Sequence, residues 1–230
     1  MKLIKKSLFT LCLSLLSASS ANAALLPALN YQAVYDTDLN ITWLADGNLV
    51  TSNNFGVTGP GLFSGGDMNW STAQTWIGAM NVANYLGYND WRLPTTLQPD
   101  ATCGLHQSAV DFGPNCTGSE MGHLFYNELG GVYANSLTRT HNANYILFRN
   151  LPAFKSYWSS TAEVGGTGVY TFDLGNSGWQ GVADTFSFNF AMAVRSGQVA
   201  IVPLPAAAWL FGSGLIFGFV GFARKRKLAV

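Results

Sequence analysis

The sequence predicts an α+β domain with antiparallel strand pairing, and three observations support this fold class. Two segments in the first two thirds of the chain carry apolar residues at helical spacing. From Phe154 onward the sequence is instead a series of short apolar and aromatic runs that are typical of strands. Hydrophobic residues make up 48% of the 230 residues and charged residues only 10%, a composition that excludes a disordered chain and a coiled coil.

Six short segments are predicted as strands, because aromatic and β-branched residues cluster in them between turn-forming residues. Two lie near the N-terminus and four lie after Phe154. In chain order they are Tyr31–Tyr35, Asn40–Leu44, Tyr157–Ser160, Val169–Phe172, Thr185–Phe190 and Ala191–Arg195. Residues 46–69 between them are rich in Asn, Gly and Thr and are predicted to form a long loop.

Two helices are predicted from apolar spacing and from residues typical of helix ends. The first has Ser71 as its N-cap and continues to about Leu86, where Gly87 ends it. The second spans Ser119–Leu129 and is followed by two glycines. No repeat of 20–50 residues is present in the sequence, so a solenoid or a propeller is excluded.

Charge is distributed unevenly, although the formal net charge is zero. All 12 acidic residues lie between Asp36 and Asp184, whereas basic residues cluster at the two ends of the chain. Five basic residues are left in the central segment: Arg92, Arg139, Arg149, Lys155 and Arg195. The central domain is therefore acidic and lacks the basic patch that nucleic-acid binding requires.

The N-terminus has the three parts of a secretory signal peptide. Lys2, Lys5 and Lys6 precede an apolar run from Leu8 to Leu16, and small residues ending in Ala21-Asn22-Ala23 follow. The run is too short to span a bilayer, and the A-x-A site predicts cleavage after Ala23. We therefore expect residues 1–23 to be a signal peptide and residues 24–201 to be the exported domain.

The C-terminus predicts a membrane anchor. The 18 residues from Ala206 to Ala223 contain no charge and, at about 1.5 Å per residue, reach about 27 Å as a helix, close to the thickness of a hydrocarbon core. The basic residues 224–227 follow and are expected to stay in the cytoplasm as a stop. A transmembrane helix at 206–223 is therefore predicted.

This tail also resembles a known sorting signal. The motif that carries the resemblance is Val202, Pro203, Leu204, Pro205 and Ala206, followed by the apolar helix and the Arg/Lys cluster. It is similar to the VPLPA variety of the PEP-CTERM signal. The resemblance implies that residues 202–230 are a tail cleaved by an exosortase-type enzyme in a Gram-negative bacterium. The protein would then be anchored in the inner membrane first, and later reach the cell surface or extracellular matrix.

Sequence blocks in the central domain resemble a second family. In chain order they are Val34–Asp38 with Thr42–Leu44, Asp90–Thr95 (DWRLPT), Glu120–Phe125, Tyr157–Thr161 (YWSST) and Ala193–Gly197. Together they resemble, over about residues 31–198, the domain called DUF1566, named for the C-terminal domain of a bacterial collagen-like adhesin. That family is similar to the C-type-lectin-like fold of formylglycine-generating enzymes. The resemblance implies two helices packed on a looped antiparallel sheet.

Cys103 and Cys116 are the two cysteines left after removal of the signal peptide. An even pair in an exported protein predicts a disulfide. The closure of such a short loop stabilises a fold by roughly 3 kcal/mol in the chain-entropy model. A metal or redox pair is the alternative, but the two cysteines lie in a loop that matches no cysteine motif of formylglycine-generating enzymes.

Several residues are candidates for metal binding or catalysis, but none forms a complete motif. Glu120 and His123 share a helix face, but a metal site needs further ligands, so packing or hydrogen bonding of His123 is favoured. Asp36, Asp38 and Asn40 resemble the start of a calcium loop, yet the Gly and Glu that an EF-hand requires are absent. A less regular calcium site on lectin-like loops remains an alternative. Apart from it, no metal or cofactor is predicted.

The motif blocks contain polar residues that are predicted to have structural roles. Arg92 and Arg195 are expected to stack on aromatic rings or to pair with buried carboxylates. Asp90 is expected to accept hydrogen bonds from backbone amides of its own turn. The sequence contains no G-x-S-x-G, no H-E-x-x-H and no P-loop, so no catalytic residues are assigned and the protein is not expected to be an enzyme.

These observations favour a non-catalytic binding or adhesion module for envelope polysaccharide, exopolysaccharide or a surface protein. Trp70 and Trp179 end the Gly- and Asn-rich segments 46–69 and 161–184 and are predicted to be exposed platforms for ligand stacking. An acidic domain repels sulfated and uronic glycans, so a neutral glycan or a protein is the expected ligand. The alternative is an enzyme related to the formylglycine-generating fold.

Overall fold

A computed structural model of the protein describes residues 25–107, 110–154 and 156–200. The predicted signal peptide, sorting motif and anchor helix lie outside the described residues. None of the helices in the described part combines the length and the apolar character that a membrane crossing requires. The described residues therefore belong to the central domain.

The described residues form nine short strands, arranged in three small antiparallel sheets rather than in the single looped sheet that the family resemblance implied. The first sheet has four strands in the order β1-β2-β3-β9, the second pairs β4 with β5, and the third has the order β6-β7-β8. The strands are β1 Leu25–Ala28, β2 Ala33–Asp36, β3 Ile41–Leu44, β4 Leu105–Gln107, β5 Val110–Phe112, β6 Tyr157–Ala162, β7 Val169–Phe172, β8 Gln180–Ala183 and β9 Val194–Ser196.

The four-stranded sheet joins the two ends of the domain. In the β3–β9 ladder Thr42 lies opposite Arg195, and Thr42 donates a hydrogen bond from its hydroxyl to the carbonyl oxygen of Gly197 at 2.8 Å. The strand predicted at Tyr31–Tyr35 starts only at Ala33, because Tyr31 has a φ of 64° and belongs to a tight turn. Pairing of β3, near the start of the domain, with β9, its last strand, closes the fold around its core.

Helix α1 (Trp70–Val82) is confirmed, but its ends differ from the prediction. Its N-cap is Asn69, not Ser71, because the Asn69 side chain accepts a hydrogen bond from the Thr72 backbone amide at 2.9 Å. The helix ends at Val82 instead of Leu86, because Asn84 has a φ of 48° that no continuing helix allows. It buries a face that includes Trp76 and Met80.

Helix α2 (Glu120–His123) begins where the second helix was predicted and continues as a π-helical turn, Leu124–Glu128. The amide of Leu129 accordingly donates to the carbonyl of Leu124, five residues earlier, at 2.9 Å. Ser119 precedes the helix, but its hydroxyl accepts a hydrogen bond from the Leu97 amide instead of capping the helix. The π turn changes which side chains share a face.

Two large hydrophobic clusters hold the sheets and helices together. One contains Trp43 and Phe125, and the other contains Trp76 and Trp158. Trp158 is fully buried and its indole N–H donates to the carbonyl of Met68 at 2.7 Å. The predicted strand at Val169–Phe172 is confirmed as β7, and the one at 157–160 extends to Ala162 as β6.

The predicted strand Thr185–Phe190 is wrong, and Ala191–Arg195 contributes only its end to β9. Residues 184–187 form a turn, because the Asp184 carboxylate accepts a hydrogen bond from the amide of Phe186 at 2.8 Å and the Asp184 carbonyl accepts one from the amide of Ser187 at 2.9 Å. The strand lies just before it, at Gln180–Ala183. Alternating aromatic residues in 185–190 imitate a strand, while the Asp184 turn prevents one.

Candidate functional site

An open cleft of about 540 Å³ lies where the β4–β5 hairpin meets the β6–β7–β8 sheet. The hairpin docks through its last residues: the amide of Gly113 donates to the carbonyl of Gln180 at 2.8 Å, and the amide of Gln180 donates back at 2.9 Å. The residues that line the cleft are Gln107, Val110, Phe112, Glu163, Trp179, Gly181 and Val182. We call this the Trp179 cleft.

The indole of Trp179 forms one wall of the cleft and is half-buried. Phe112 packs edge-on against it, with ring centroids 6.5 Å apart, and Tyr133 lies 6.1 Å from it. Trp179 is therefore supported by two aromatic neighbours while part of its surface faces the open cleft. Such an arrangement is suited to stacking against an apolar ring face.

The turn before Trp179 is rigid. Gly178 has a φ of 69°, and a Cβ at that position would lie 2.5 Å from the Phe125 ring. Its carbonyl accepts a hydrogen bond from the hydroxyl of Tyr126 at 2.6 Å. Trp179 thus lies in the connection between β7 and β8, directly before Gln180, where β8 begins. Segment 161–184 is a hairpin rather than a loop, since it contains β7 and β8.

The polar side chains of the cleft are either negatively charged or neutral. Glu163 is the one ionisable residue among the described lining residues, and its carboxylate accepts from the Gly168 amide at 3.1 Å. Tyr170 lies opposite Val182 in the β7–β8 ladder. Burial, together with the negative charges of Glu163 and Asp111, raises the pKa of Tyr170 to about 12. Its hydroxyl therefore stays protonated at physiological pH.

The predicted disulfide is confirmed and lies at the base of the β4–β5 hairpin. Cys103 and Cys116 are bonded to each other and both are buried. The Gln180 amide group donates to the carbonyl of Asp111 at 3.0 Å and contacts the sulfur of Cys103 at 3.5 Å. The disulfide and Gln180 together fix the hairpin against β8.

A second interaction across the hairpin pairs His106 with Asp111, whose side chains approach to 2.7 Å. This hydrogen bond lowers the pKa of Asp111 below its ordinary value. The other carboxylate oxygen of Asp111 accepts from the amide of Asp100 at 2.7 Å. Asp111 is thus occupied in holding the hairpin.

Trp70 does not join the cleft. It is the first residue of α1, packs against the cluster that contains Trp76, and donates its indole N–H to the carbonyl of Ser159 at 3.0 Å. Of the two tryptophans predicted as platforms, the structure places only Trp179 in an open cleft. The ligand-binding role of both stays a prediction.

A second polar site is closed to solvent. Asp36 at the end of β2, His123 at the end of α2 and Glu128 at the end of the π turn are all buried. The His123 Nε2 lies 3.3 Å from Glu128 Oε1 and 4.0 Å from Asp36 Oδ2. Burial, followed by the negative charge of Asp36, raises the pKa of Glu128. We call these three residues the buried triad.

The pairing of Glu120 and His123 on one helix face, considered from sequence, is not what the structure shows. Glu120 binds Arg92 through two hydrogen bonds of 2.8 and 2.6 Å, whereas His123 faces the buried triad. The three residues that resemble the start of a calcium loop, Asp36, Asp38 and Asn40, do not form one site in the structure. Asp36 is buried, while Asp38 and Asn40 are exposed and Asn40 accepts a hydrogen bond from Tyr35.

The arginines of the motif blocks form structural pairs. Arg195 binds Asp90 through hydrogen bonds of 2.7 and 2.9 Å and lies 4.2 Å above the ring of Tyr88. The main partner of the Asp90 carboxylate is thus the Arg195 guanidinium rather than the backbone of its own turn. Both arginines pair with carboxylates and Arg195 stacks on an aromatic ring, as predicted, although Asp90 is exposed rather than buried.

The family model described as the Lcl C-terminal domain matches residues 32–195. It covers β2 to the middle of β9, and therefore both the Trp179 cleft and the buried triad. No curated protein and no solved structure matches the chain. The match confirms the resemblance to the DUF1566-type family that the sequence blocks indicated.

Proposed function

The chain belongs to the Lcl C-terminal domain family, and from this premise we propose that it is a non-catalytic binding module of the cell surface or extracellular matrix. We propose that its ligand is a neutral polysaccharide of the envelope or matrix, and that the ligand binds in the Trp179 cleft. The family match itself supports a module of the surface or extracellular type. The ligand and the site are supported by the geometry of the cleft.

The observation that carries the proposal is the position of Trp179. A half-exposed indole, in contact with Phe112 and Tyr133, forms one wall of an open cleft. Sugar rings have apolar faces that stack on indoles, and their hydroxyls bind to polar groups at the edges. Gln107 and Glu163 supply such groups at the rim of the cleft.

Charge favours a neutral glycan. Among the described residues that line the cleft there is one carboxylate and no Lys or Arg. Glycans that carry sulfate or uronate groups bind through Arg and Lys, and a carboxylate in the cleft repels them. A neutral polysaccharide needs only stacking and hydrogen bonds, both of which the cleft provides.

The proposal includes delivery to the envelope. Residues 1–23 direct export, and residues 202–230 anchor the chain in the inner membrane until an exosortase-type enzyme cleaves near the VPLPA motif. The bond between Cys103 and Cys116 supports an oxidising compartment and argues against thiol catalysis, since it uses both cysteines of the domain.

The proposal can be tested by glycan-array binding of the purified protein, followed by calorimetric titration with the glycans that bind. Gly181→Val should narrow the cleft beside Trp179, because a Cβ at Gly181 would have Trp179 as its nearest neighbour at 3.5 Å, an ordinary contact. Trp179→Ala should remove the stacking surface. Phe186→Ala, which truncates an 80%-exposed aromatic that does not line the cleft, is the matched control.

We expect both cleft variants to lose affinity by at least about tenfold, which corresponds to roughly 1.4 kcal/mol, while the control binds normally. Equal binding by all three variants would place the ligand elsewhere. Turnover of a glycan by the purified protein would contradict the non-catalytic assignment.

A further inference from the structure

The buried triad contains three polar atoms that lack hydrogen-bond partners among the described residues. They are Asp36 Oδ2, His123 Nε2 and Glu128 Oε1. Asp36 is 0%, Glu128 1% and His123 8% exposed, so these atoms are not solvated by bulk water. Buried ionisable groups are normally hydrogen-bonded, paired or bound to a metal. Three such atoms on three side chains that face one another therefore require an explanation.

The three atoms converge on one point. One donor atom from each residue lies within 4.8 Å of the other two. Although His123 Nε2 and Glu128 Oε1 are 3.3 Å apart, they are not aligned for a hydrogen bond. Ligand atoms that surround a metal tetrahedrally at about 2.0–2.1 Å lie about 3.3 Å from one another. The observed separations fit such a site after a small contraction.

The backbone explains why these side chains meet. In an α-helix His123 and Glu128, five residues apart, would point in different directions. In the π turn Leu124–Glu128 the backbone hydrogen bonds join residues five positions apart. Side chains with this spacing, such as those of His123 and Glu128, therefore lie on one face. π turns inside helices occur frequently at functional sites. Here the turn opposes the Asp36 end of β2.

The carboxylate of Asp36 is already oriented. Its other oxygen, Oδ1, accepts hydrogen bonds from the amides of Asp38 and Leu39, both at 3.1 Å. Such bonds hold a ligand carboxylate in place and leave the second oxygen available. Asp36 is thus prepared to donate one oxygen toward His123 and Glu128.

A bound cation would match the charge of the triad. When Asp36 and Glu128 are both ionised, two negative charges are buried together. Among the ion pairs of the described residues, no Arg or Lys pairs with Asp36 or Glu128. A bound dication would balance both charges and give all three unpartnered atoms a ligand bond.

We propose that Asp36, His123 and Glu128 bind a divalent transition-metal ion, with zinc as the ion of choice. One imidazole nitrogen and two carboxylate oxygens suit Zn²⁺, whereas Ca²⁺ takes six to eight oxygen ligands. The ion connects β2 to the helical segment 120–128. Its role is structural, since the three ligands are buried and the Trp179 cleft contains none of them.

Another group of potential ligands, Asp100, Cys103 and Cys116, does not qualify. The two sulfurs are bonded to each other, so neither is a thiolate. Both oxygens of Asp100 already accept hydrogen bonds, from Thr102 and from Gly118. The buried triad differs from this group because its donor atoms are unpartnered.

The test begins with the full chain, purified without a polyhistidine tag and analysed for metal by mass spectrometry. The chelated protein is then titrated with Zn²⁺ and, separately, with Ca²⁺, while melting temperature is recorded. Co²⁺ serves as a spectroscopic probe, because its visible absorption reports mixed nitrogen and oxygen ligands. Glu128→Gln and His123→Gln are the test variants. His106→Gln is the control, since His106 is an exposed histidine that also contacts a carboxylate.

We expect one Zn²⁺ per chain, a melting temperature that falls on chelation and recovers with Zn²⁺, and no comparable response to Ca²⁺. The His106→Gln control should behave like the wild type, while both test variants should lose stoichiometric binding. A chelated wild-type chain that keeps its melting temperature and binds no Zn²⁺ would overturn the proposal. That result would identify the triad as a metal-free ion cluster, and it does not depend on whether the variants fold.

Discussion

The Trp179 cleft and the buried triad differ in how their polar groups are satisfied. Beside the cleft, both carboxylate oxygens of Asp111 are hydrogen-bonded and hold the β4–β5 hairpin, and the open surface belongs to an indole. In the buried triad, one side-chain atom of each residue faces the others with no hydrogen-bond partner among the described residues. The first arrangement suits a large ligand that binds from solvent, and the second suits a small ion enclosed during folding.

The comparison shows that an exposed aromatic surface and buried polar atoms without hydrogen-bond partners are two separate indications of function. An aromatic surface in an open cleft contributes affinity by removing apolar area from water, and it needs no unpartnered atom. An enclosed site instead depends on donor atoms that the protein leaves without partners. Substitutions in the interior should therefore change stability, whereas substitutions in the cleft should change binding more than stability.

The largest effect is expected when an interior tryptophan is truncated. Trp158→Ala should destabilise the domain by about 3–5 kcal/mol, because it leaves a cavity and removes the indole hydrogen bond to Met68. Urea unfolding followed by circular dichroism measures this change. A loss below about 1 kcal/mol would mean that β6 is not part of the central core.

Removal of the disulfide should have the next largest effect. The variant Cys103→Ala/Cys116→Ala should lose roughly 3 kcal/mol of unfolding free energy, as expected for closure of a short loop. It should also weaken glycan binding, because the β4–β5 hairpin that carries Phe112 would be less firmly held. Reduction of the wild-type chain is the matched comparison. Unchanged stability in both would show that Gln180 and Asp111 hold the hairpin without help.

Trp179→Ala should separate binding from stability. The residue is half-buried and contacts two aromatic rings, so its truncation should reduce the unfolding free energy by about 1 kcal/mol or less. Its effect on glycan affinity should exceed its effect on stability. Unfolding as severe as that of Trp158→Ala would instead assign Trp179 to the core.

The smallest effect is expected at the Asp90–Arg195 pair. The hydrogen bond from Arg195 lowers the pKa of Asp90 below its ordinary value of 3.8, so the pair stabilises the fold above that pH and this contribution is lost as the pH falls. Because the Asp90 side chain is 49% exposed, solvent screening limits the contribution to about 0.2–1 kcal/mol.

Urea midpoints measured at about pH 6 and about pH 3 should therefore differ less for Asp90→Asn than for the wild type. Asp184→Asn, which alters an exposed turn carboxylate, is the control and should follow the wild type. An identical pH response in all three proteins would assign no stabilising role to the pair.

Local sequence patterns predicted both helices of the domain and strands β2, β3, β6 and β7, but they missed β1, β4, β5 and β8. The helix at Ser71–Leu86, the β7 strand and the Cys103–Cys116 bond all followed from spacing and residue type, and each is present. The predictions were wrong where a hydrogen bond from a single side chain determines the local backbone conformation. Asn69 takes the cap from Ser71, and Asp184 forms a turn where the apolar alternation of 185–190 favours a strand.

The two sites were predictable to different degrees. Trp179 was found because it lies in a Gly- and Asn-rich segment, but its support by Phe112 depends on the docking of β5 against β8, a pairing between distant residues. The triad could not be assembled from sequence, because His123 and Glu128 share a face only in a π turn. Asp36 joins them from 87 positions earlier than His123, through tertiary packing alone.

The most direct test of the central claim is a two-dimensional ¹H–¹⁵N spectrum of the tryptophan indole groups, recorded during titration with an array-selected neutral glycan. The chain has 7 tryptophans, so each indole N–H can be assigned by single Trp→Phe variants. We predict that the Trp179 signal shifts in a saturable way, while those of Trp70 and Trp158, whose N–H groups are bonded inside the fold, stay in place. Saturable binding that leaves the Trp179 signal unmoved would contradict the account.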